Sequence, residues 1–340
     1  MKSKTIAFLY NVRHKYPDPK DPRTFLEADF DDPQTISFIA KHLRNLGYSV
    51  IQIEADDEAY FSLYKHKKQI HLALNYSEGI SGNDREAQIP AMLEMLKIPY
   101  TGSSPLTQAI GLNKAKTKEI LIANNIPTAE FQVFYSAKDT LKKKLEFPLI
   151  VKPIAEGSSA GITNDSVVDS QKKLKDRVYF VINNFKEPAL VERYLGGREF
   201  SVALLGNPPD VLPIIEANHK LLPKKYLPID SLEVKWLYEE ETSGAHLVCP
   251  AKMSGSLEKK IVQISLQTYN ALGIKDLCRI DIRCDKDENP YVLEVNSPPG
   301  LIPPEVSVTS YFPLAARRKG LEYEALLQKI IELAEGRYGL

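Results

Sequence analysis

Cysteine is scarce in this chain of 340 residues, and no long apolar stretch occurs in it. Cys249, Cys278 and Cys284 are an odd number without metal-ligand spacing, which argues against a disulfide framework and a zinc site. Cys278 and Cys284 share a strand face with apolar residues, so we expect buried, reduced thiols and a cytoplasmic protein. No apolar run approaches the roughly 18 residues of a membrane span, so we expect no membrane partner.

The chain also lacks a net charge. Lysine plus arginine and aspartate plus glutamate number 44 each. This balance removes any global electrostatic case for nucleic acid or an anionic membrane as a partner. A chain of this length is too long for one ordinary hydrophobic core, so we expect two or three domains.

The most informative stretch alternates with period two on both sides of a polar turn, which predicts a β-hairpin. Its strands are Cys278–Arg283 and Tyr291–Asn296. The alternation places apolar side chains on one face: Ile280, Ile282, Tyr291, Leu293 and Val295. On the other face it places the polar set Arg279, Asp281, Glu294 and Asn296.

Three oxygen donors beside one guanidinium predict a hard-cation site that holds Mg²⁺ together with nucleotide phosphates. The alternative is a solvated strand face with ordinary charges. The Asn-x-Pro-Pro-Gly exit, which ends at Gly300, argues against that alternative because it turns the backbone sharply beside the charges.

Strands and helices alternate through the first hundred residues, which predicts a parallel sheet covered by helices. The predicted elements are strands Ile6–Tyr10, Ser49–Ile53, Ile70–Leu74 and Ile98–Tyr100 and helices Pro33–Leu46 and Ala87–Leu96. A small α+β domain follows, with helices Lys114–Asn124 and Lys173–Asn184, a lysine-rich helix, and strands Phe131–Tyr135, Leu149–Lys152 and Ala189–Glu192. A third region begins near Glu199 with strand Phe200–Leu205, and helix Glu322–Glu335 ends the chain as core. The long polar segment 218–244 is predicted to be functional or mobile.

Two further motifs suit a nucleotide. Lys152 ends a strand before a small-residue loop, Glu156–Gly161, whose amides and hydroxyls can approach an anion closely. Paired glycines lie between Glu192 and Glu199, where a domain junction can bind a base through the backbone and a ribose through a carboxylate. Ordinary surface charges are the alternative for both glutamates.

The order of these motifs resembles the ATP-grasp fold and, within it, the D-alanine–D-alanine ligase family. The likeness runs from about Leu72 to Ala316. It includes Ile98-Pro99-Tyr100-Thr101-Gly102-Ser103, Cys249-Pro250-Ala251 and Tyr311-Phe312-Pro313. The resemblance implies an α/β protein with an N-terminal parallel α/β domain (1–112) and two α+β domains (113–197 and 198–340) that clasp ATP.

The resemblance also implies roles for individual residues. The residues that match the family's nucleotide contacts are Lys114, Lys152, Glu156, Gly157, Ser158, Ser159, Glu192, Tyr194, Leu195 and Glu199. The residues that match its ligands for two Mg²⁺ ions, or for Mn²⁺, are Asp281, Glu294 and Asn296. Catalytic roles fall on Arg279, the Gly300 amide, Lys235 in a mobile loop and Ser158, and Ser310 matches the serine for the second substrate's carboxylate. The implied chemistry is amide formation through an acylphosphate, and family members are commonly homodimers.

The chain departs from the family where substrate binds. Phe25–Pro33 replaces the family's first-substrate segment, Ser77-Glu78-Gly79 stands for its His-Gly, and Lys235-Trp236 stands for its Lys-Tyr pair. About five extra residues separate Gly300 from Ser310.

Six acidic residues therefore stand where the family offers one glutamate and one histidine: Glu27, Asp29, Asp31, Asp32, Glu78 and Glu86. Acidic side chains hold ammonium groups by charge-assisted hydrogen bonds. For Asp32 before Pro33, a helix N-cap is the alternative role. We predict that Glu78, Asp32 and Trp236 contact substrate, and that one partner is larger than D-alanine or carries an extra amine, such as a basic amino acid or a peptide.

Rival functions are a D-alanine–D-alanine ligase proper of cell-wall synthesis, a small-molecule kinase on the same fold and a non-catalytic ATP-binding protein. A non-catalytic protein is expected to lose a metal ligand or a phosphate lysine, and this sequence keeps them all. Dependence of phosphate release on an added amine separates ligase from kinase.

Overall fold

The first sheet has three parallel strands in the order β2-β1-β3. The protein is represented by a computed structural model that describes residues 4–18 and 21–340. Elements alternate as β1 (Thr5–Tyr10), α1 (Pro33–Asn45), β2 (Ser49–Glu54), α2 (Ala59–His66), β3 (Leu72–Asn75) and α3 (Gln88–Leu96). The central residues of β1 are fully buried because helices cover both faces. The predicted parallel α/β sheet is confirmed.

The second sheet is antiparallel, with the order β4-β7-β5-β6. Helices α4 (Pro105–Leu112) and α5 (Lys114–Ala123) lead to it. Its elements are β4 (Phe131–Phe134), β5 (Leu149–Pro153), β6 (Val167–Val168), α6 (Gln171–Phe185) and β7 (Ala189–Arg193). Helix α6 covers one face because Leu174, Val178 and Val181 recur at helical spacing and are fully buried.

The third sheet, also antiparallel, has the order β11-β10-β8-β12-β13, with β9 paired to β8. Its elements are β8 (Glu199–Gly206), β9 (Pro209–Val211), β10 (Ile215–Ala217), α7 (Glu239–Thr242), β11 (Leu247–Val248), α8 (Gly255–Ala271), β12 (Leu277–Cys284) and β13 (Pro290–Asn296). Helices α9 (Tyr311–Arg318) and α10 (Tyr323–Tyr338) follow.

Helix α10 joins the first and third parts of the chain. Leu326, Leu327, Ile330 and Ile331 are fully buried against residues of β1, β3, α1 and β8. Burying each such side chain stabilises the fold by about 2 kcal/mol. The prediction of a core helix at the end of the chain is confirmed. None of the described helices is long and apolar enough to cross a membrane.

Three local predictions are wrong or incomplete. The strand predicted at 98–100 is a single bridge between Ala73 and Tyr100, because Pro99 has no N–H to extend the ladder. The lysine-rich segment 138–144 is not helical: the Asp139 carboxylate accepts from the backbone N–H groups of Tyr135 and Ser136 and holds a turn. Helices α2, α4, α7, α8 and α9 were not predicted.

Candidate active site

The second and third sheets face each other across a cleft. Residues from β5, β7, β8, β12 and β13 line it, together with the small-residue loop 156–161 and the segment 218–244, which we name the lid. Among them are Lys152, Glu156, Gly157, Ser159, Glu192, Tyr194, Leu195, Glu199, Lys235, Arg279, Asp281 and Glu294. Strands of both sheets therefore bring predicted nucleotide and metal residues to one place.

The predicted hairpin forms, with one change in register. Arg279 pairs with Asn296 and Asp281 with Glu294, as the alternation requires. A β-bulge next to Asp281 then shifts the pairing, so that Ile282 lies opposite Val292.

The bulge corrects the predicted apolar face. Val292, rather than Leu293, is buried with Ile282 and Val295, whereas Leu293 lines the cleft. Tyr291 likewise leaves the core, and its ring lies under the Arg193 guanidinium. An extra residue in one strand reverses the alternation beyond it, so strict period two fails there.

Asp281 is the centre of the polar face. It accepts hydrogen bonds from Arg279 Nη2 at 2.9 Å, Asn296 Nδ2 at 3.0 Å and Ser201 Oγ at 2.6 Å. Burial opposes a charge on Arg279, but Asp281 raises the pKa of that guanidinium above its usual value. Arg279 thus stays charged in a water-poor place.

Glu294 faces cations. Burial favours its neutral form, but Lys114, Lys152, Lys235 and Arg279 lower the pKa of the carboxyl to about 2. Lys114 Nζ lies 3.5 Å from its Oε2. The oxygens of two carboxyl groups and an asparagine suit Mg²⁺, which binds through one or two carboxylates plus phosphates rather than in a protein cage.

Buried lysines flank the nucleotide cleft. Lys152 Nζ lies 2.5 Å from Glu192 Oε1, and Lys118 Nζ lies 2.8 Å from the other oxygen of the same carboxylate. All three side chains are nearly or fully buried. Glu192 is therefore shared between two ammonium groups and is not a surface charge.

The small-residue loop 156–161 is held from both sides. Gly157 is needed because a Cβ there would lie 2.4 Å from the Asp29 carboxylate, which accepts from the Gly157 N–H at 3.1 Å. Ser158 and Ser159 have left-handed backbones, with φ of 45° and 60°. Ser159 Oγ donates to the Asp230 carbonyl of the lid at 2.7 Å. Consecutive unusual backbone angles are typical of loops that bind anions.

Arg283 contacts the residues predicted to bind the base and the ribose. This guanidinium donates to the Leu195 carbonyl and to Glu199 Oε2, the latter at 2.6 Å. The Tyr194 N–H donates to the Pro148 carbonyl at 3.2 Å. Within the described ranges, the Leu195 N–H and the Tyr194 carbonyl are left without a backbone partner, so a purine has one donor and one acceptor there.

The lid closes over a second, larger cavity of about 570 Å³ that adjoins the metal site. Lys235 and Trp236 line it from a π-helical turn, Val234–Tyr238. The indole stacks on the Arg13 guanidinium, 4.4 Å from ring to Cζ, and its N–H donates to the Ser158 carbonyl at 3.3 Å. The lid thus touches both the first sheet's loop and the small-residue loop.

The predicted substrate and oxyanion residues also line this cavity. Present in its wall are Lys114, Ser158, Arg279, Glu294, Asn296, Gly300 and Ser310, and five of the six singled-out acids, Asp29, Asp31, Asp32, Glu78 and Glu86. Glu27 is absent from the described wall, because its carboxylate accepts from the backbone of His14 and Lys15. The longer segment after Gly300 forms part of the wall as well.

Asp32 occupies the N-cap position of α1 without capping it. Its side chain makes no capping hydrogen bond; it lies 3.3 Å from Arg13 and accepts from the Tyr16 hydroxyl. Asp29 is paired with Arg85 at 2.9 Å. The N-cap alternative is therefore wrong for the side chain of Asp32.

Three of the singled-out acids in this wall have raised pKa values. Burial raises the pKa of Asp31 to about 7 and that of Glu86 to about 8. Burial, then the neighbouring Glu86, raises the pKa of Glu78 well above its usual range. Near neutral pH this wall holds protons that a cation could replace.

Sequence analysis missed three charged groups of the site. Lys118 follows Lys114 by four residues on one helix face, and Arg283 follows Asp281 by two on one strand face, so both carried a local signal. Arg13 carried none, because only the fold brings it to Trp236.

Comparisons with known proteins agree with this geometry. The family model described as "D-ala D-ala ligase C-terminus" matches residues 106–332. A D-alanine–D-alanine ligase of Aquifex aeolicus is 32% identical over 295 residues, covering 86% of this chain and 92% of that enzyme. An uncharacterised Sinorhizobium fredii protein, y4sG, is 32% identical over 333 residues, covering 96% of this chain and 93% of that protein.

The fold is shared with a solved structure. The D-alanine–D-alanine ligase of Bacillus anthracis complexed with ATP has a TM-score of 0.73 at 23% identity, covering 98% of this chain and 97% of that one. From the matched family model, the relatives and the shared fold, this chain belongs to the D-alanine–D-alanine ligase family and is an ATP-dependent, ADP-forming ligase of the ATP-grasp fold.

Proposed function

We propose that the enzyme joins the carboxylate of one amino acid to the amine of a second amino acid or a peptide. A carboxylate oxygen attacks the γ-phosphorus of ATP and yields an acylphosphate and ADP. The amine then attacks the acyl carbon, and the tetrahedral intermediate collapses to amide and phosphate. The proposal rests on one observation: the nucleotide cleft and the 570 Å³ cavity meet at Glu294, Arg279 and Lys235, which line both.

The nucleotide roles follow from position. We assign the phosphates to Lys114, Lys152 and the loop of Glu156, Gly157, Ser158 and Ser159, and the adenosine to Glu192, Tyr194, Leu195 and Glu199. Lys152 and Lys114 are buried and face Glu294, so a phosphate between them meets two fixed cations. Fixed charges that need no reorganisation stabilise a transferring phosphoryl group.

Asp281, Glu294 and Asn296 would hold the metal, for which we propose two Mg²⁺ ions, with Mn²⁺ as a substitute. Bound Mg²⁺ supplies charge neutralisation for phosphoryl transfer. The protein's share is to keep Glu294 ionised through the cations that surround it.

Arg279 and the Gly300 amide are assigned to the oxyanion of the tetrahedral intermediate. One such donor is typically worth ~3 kcal/mol of barrier. Ser158 and Lys235 complete the catalytic set, and Ser310, Glu78, Asp32 and Trp236 are assigned to the amino-acid substrates. The lid excludes water, which would otherwise hydrolyse the acylphosphate.

A coupled ADP-release assay with ATP and Mg²⁺ over a panel of amino acids and dipeptides tests this function. We expect ADP release that requires both a carboxylate and an amine substrate, with an amide product detected by mass spectrometry. A phosphorylated product formed without any amine would indicate a kinase instead. Efficient use of D-alanine alone would indicate a D-alanine–D-alanine ligase proper.

We further propose three domains, 1–112, 113–197 and 198–340, since each range contains one of the three sheets. A cytoplasmic location is supported by the three free cysteines, two of them buried. The balanced charge supports small-molecule partners rather than nucleic acid or membrane.

A homodimer is proposed through the first domain. Phe61, Tyr64 and Met95 are exposed at 65%, 54% and 71%, which is unusual for large apolar side chains and supports an interface on α2 and α3. Sedimentation velocity should give a mass twice that of the monomer. The Phe61→Glu variant should instead sediment as a monomer.

A further inference from the structure

The acidic wall of the 570 Å³ cavity has more negative charge than the protein neutralises. Its N-terminal side carries Asp29, Asp31, Asp32, Glu78 and Glu86. Two of these have guanidinium partners: Asp29 pairs with Arg85 and Asp32 with Arg13.

The other three have no such partner. Asp31, Glu78 and Glu86 form no ion pair with any lysine, arginine or histidine in residues 4–18 and 21–340. Among the cations near the wall, Lys114 lies 3.5 Å from Glu294 and donates to the Glu156 carbonyl, and Arg85 pairs with Asp29 at 2.9 Å. One α-ammonium group therefore leaves most of this charge uncompensated.

A buried hydroxyl in the same wall also lacks a partner. Thr35 is 1% exposed and lines the cavity one turn into α1, and its side chain donates to no group in the described part of the chain. Thr35 lies in the cavity wall, so a ligand atom is expected to complete the hydrogen bonding of its hydroxyl. Beside it, the Tyr76 hydroxyl accepts from the Leu301 N–H at 3.0 Å and shares a hydrogen bond with Asp31.

Resting on the proposed ligase function, we propose that the amino acid bound against this wall is a diamino acid, whose two ammonium groups are shared among Asp31, Glu78 and Glu86. The Thr35 hydroxyl completes the hydrogen bonds of the same ligand. Trp236 covers the carbon chain and stacks on Arg13, whose guanidinium pairs with Asp32.

The protonation of the wall agrees with this. Without a cation, burial raises the pKa of Glu86 to about 8, so near neutrality the wall lowers its charge by binding protons. An ammonium group between Glu78 and Glu86 replaces the protons and restores ionised partners.

The test compares matched substrates on the full-length enzyme. Lysine, ornithine and 2,4-diaminobutyrate, each as both enantiomers, are paired with norleucine, norvaline and 2-aminobutyrate, and kcat/KM is measured by ADP release with several amine acceptors. We expect each preferred diamino acid to exceed its neutral counterpart by at least about tenfold, as a charge-assisted hydrogen bond provides. Neutral amino acids used equally well or better would overturn the proposal.

Variants locate the effect. Glu78→Gln with Glu86→Gln should reduce the ratio of diamino to neutral kcat/KM at least about tenfold, whereas Asp84→Asn should keep the ratio. Asp84 is the matched control because it is exposed and lies two residues from Glu86, outside the described cavity wall. If the double variant does not fold, each single variant is used, and the substrate comparison on the unchanged enzyme decides alone.

A binding measurement separates this proposal from the ligase function. Calorimetry in the presence of a non-hydrolysable ATP analogue should detect lysine or ornithine binding and weaker norleucine binding. Diamino-acid binding without any ligation would contradict the ligase proposal and support this site. Ligation of neutral amino acids with no diamino preference would support the ligase and refute the site.

Discussion

Glu294 is the residue at which the two candidate sites meet. It lines the cleft and the larger cavity, and four cations lower its pKa to about 2 despite burial. It is therefore ionised near neutral pH, and its charge is available to a metal. The neighbouring Asp281 is instead tied to Arg279 and Ser201.

Replacing Glu294 with Gln should reduce kcat by at least about a hundredfold, because the metal's charge stabilisation is worth several kcal/mol. Circular dichroism and thermal melting should show an intact fold, since the amide has the same shape. Asp287→Asn, at an exposed position in the turn of the same hairpin, should keep full activity. Full activity of Glu294→Gln would remove the metal assignment.

Lys152→Ala and Lys114→Ala should each weaken ATP binding by about tenfold or more, with a much smaller effect on the amino-acid KM. Both lysines are buried and face Glu294, so neither is a surface charge whose removal would have little effect. Lys116→Ala in the same helix is the control, because that side chain is exposed and pairs only with Glu119 at the surface. Nucleotide affinity measured by calorimetry decides, and unchanged affinity in both variants would remove the assignment of these lysines to the phosphates.

At the scale of elements, residues 222–231 of the lid form turns and irregular backbone rather than helix or strand. The lid attaches to its neighbours through separate contacts, among them Ser159 Oγ to the Asp230 carbonyl, the Leu232 N–H to the Ile162 carbonyl and Trp236 to Arg13. Segments held by a few contacts open at low free energy.

Limited proteolysis should therefore cleave within 218–244 in the free enzyme and be slowed several-fold by ATP with an amino-acid substrate. The reason is that ligands on both sides add contacts to a segment that otherwise depends on few. Cleavage sites are mapped by mass spectrometry, with Trp236→Ala as a variant that should be cut faster. Equal rates with and without ligands would contradict the assignment of this segment as a lid.

At the scale of the whole molecule, buried acids link stability to pH. Burial raises the pKa of Asp31 and Glu156 to about 7 and of Glu86 and Glu239 to about 8. In the unfolded chain such groups lose their protons near pH 4. Between about pH 4.5 and 8 the folded protein thus holds more protons, and its free energy of unfolding falls as pH rises.

The melting temperature of the ligand-free enzyme should accordingly fall from pH 5 to pH 8. Glu86→Gln should flatten this dependence, because the amide needs no proton to stay neutral, and Asp84→Asn should not. His246, whose pKa burial lowers, acts in the opposite direction near pH 6, so the comparison of variants isolates Glu86. A slope that is identical in both variants would show that Glu86 is ionised in the folded protein.

The sequence by itself determined the parts of the site that depend on local pattern. Period two placed Arg279 and Asp281 on one strand face opposite Glu294 and Asn296, because a hairpin with a short turn allows little freedom of register. The strand before Lys152 and the small residues after it likewise indicated the loop at the cleft. The order of these motifs, through the family resemblance, then indicated that they combine into one site.

Only the tertiary structure decided the rest. The bulge that turns Leu293 into the cleft is an extra residue within one of two paired strands. The alternation of apolar and polar residues does not indicate it. Arg13, Asp31, Glu78 and Trp236 come from segments far apart in the chain, and their meeting depends on how the first sheet and the lid pack. Long-range packing, unlike strand alternation, is set by the whole fold, which is why sequence pattern found the acids but not which of them lack a partner.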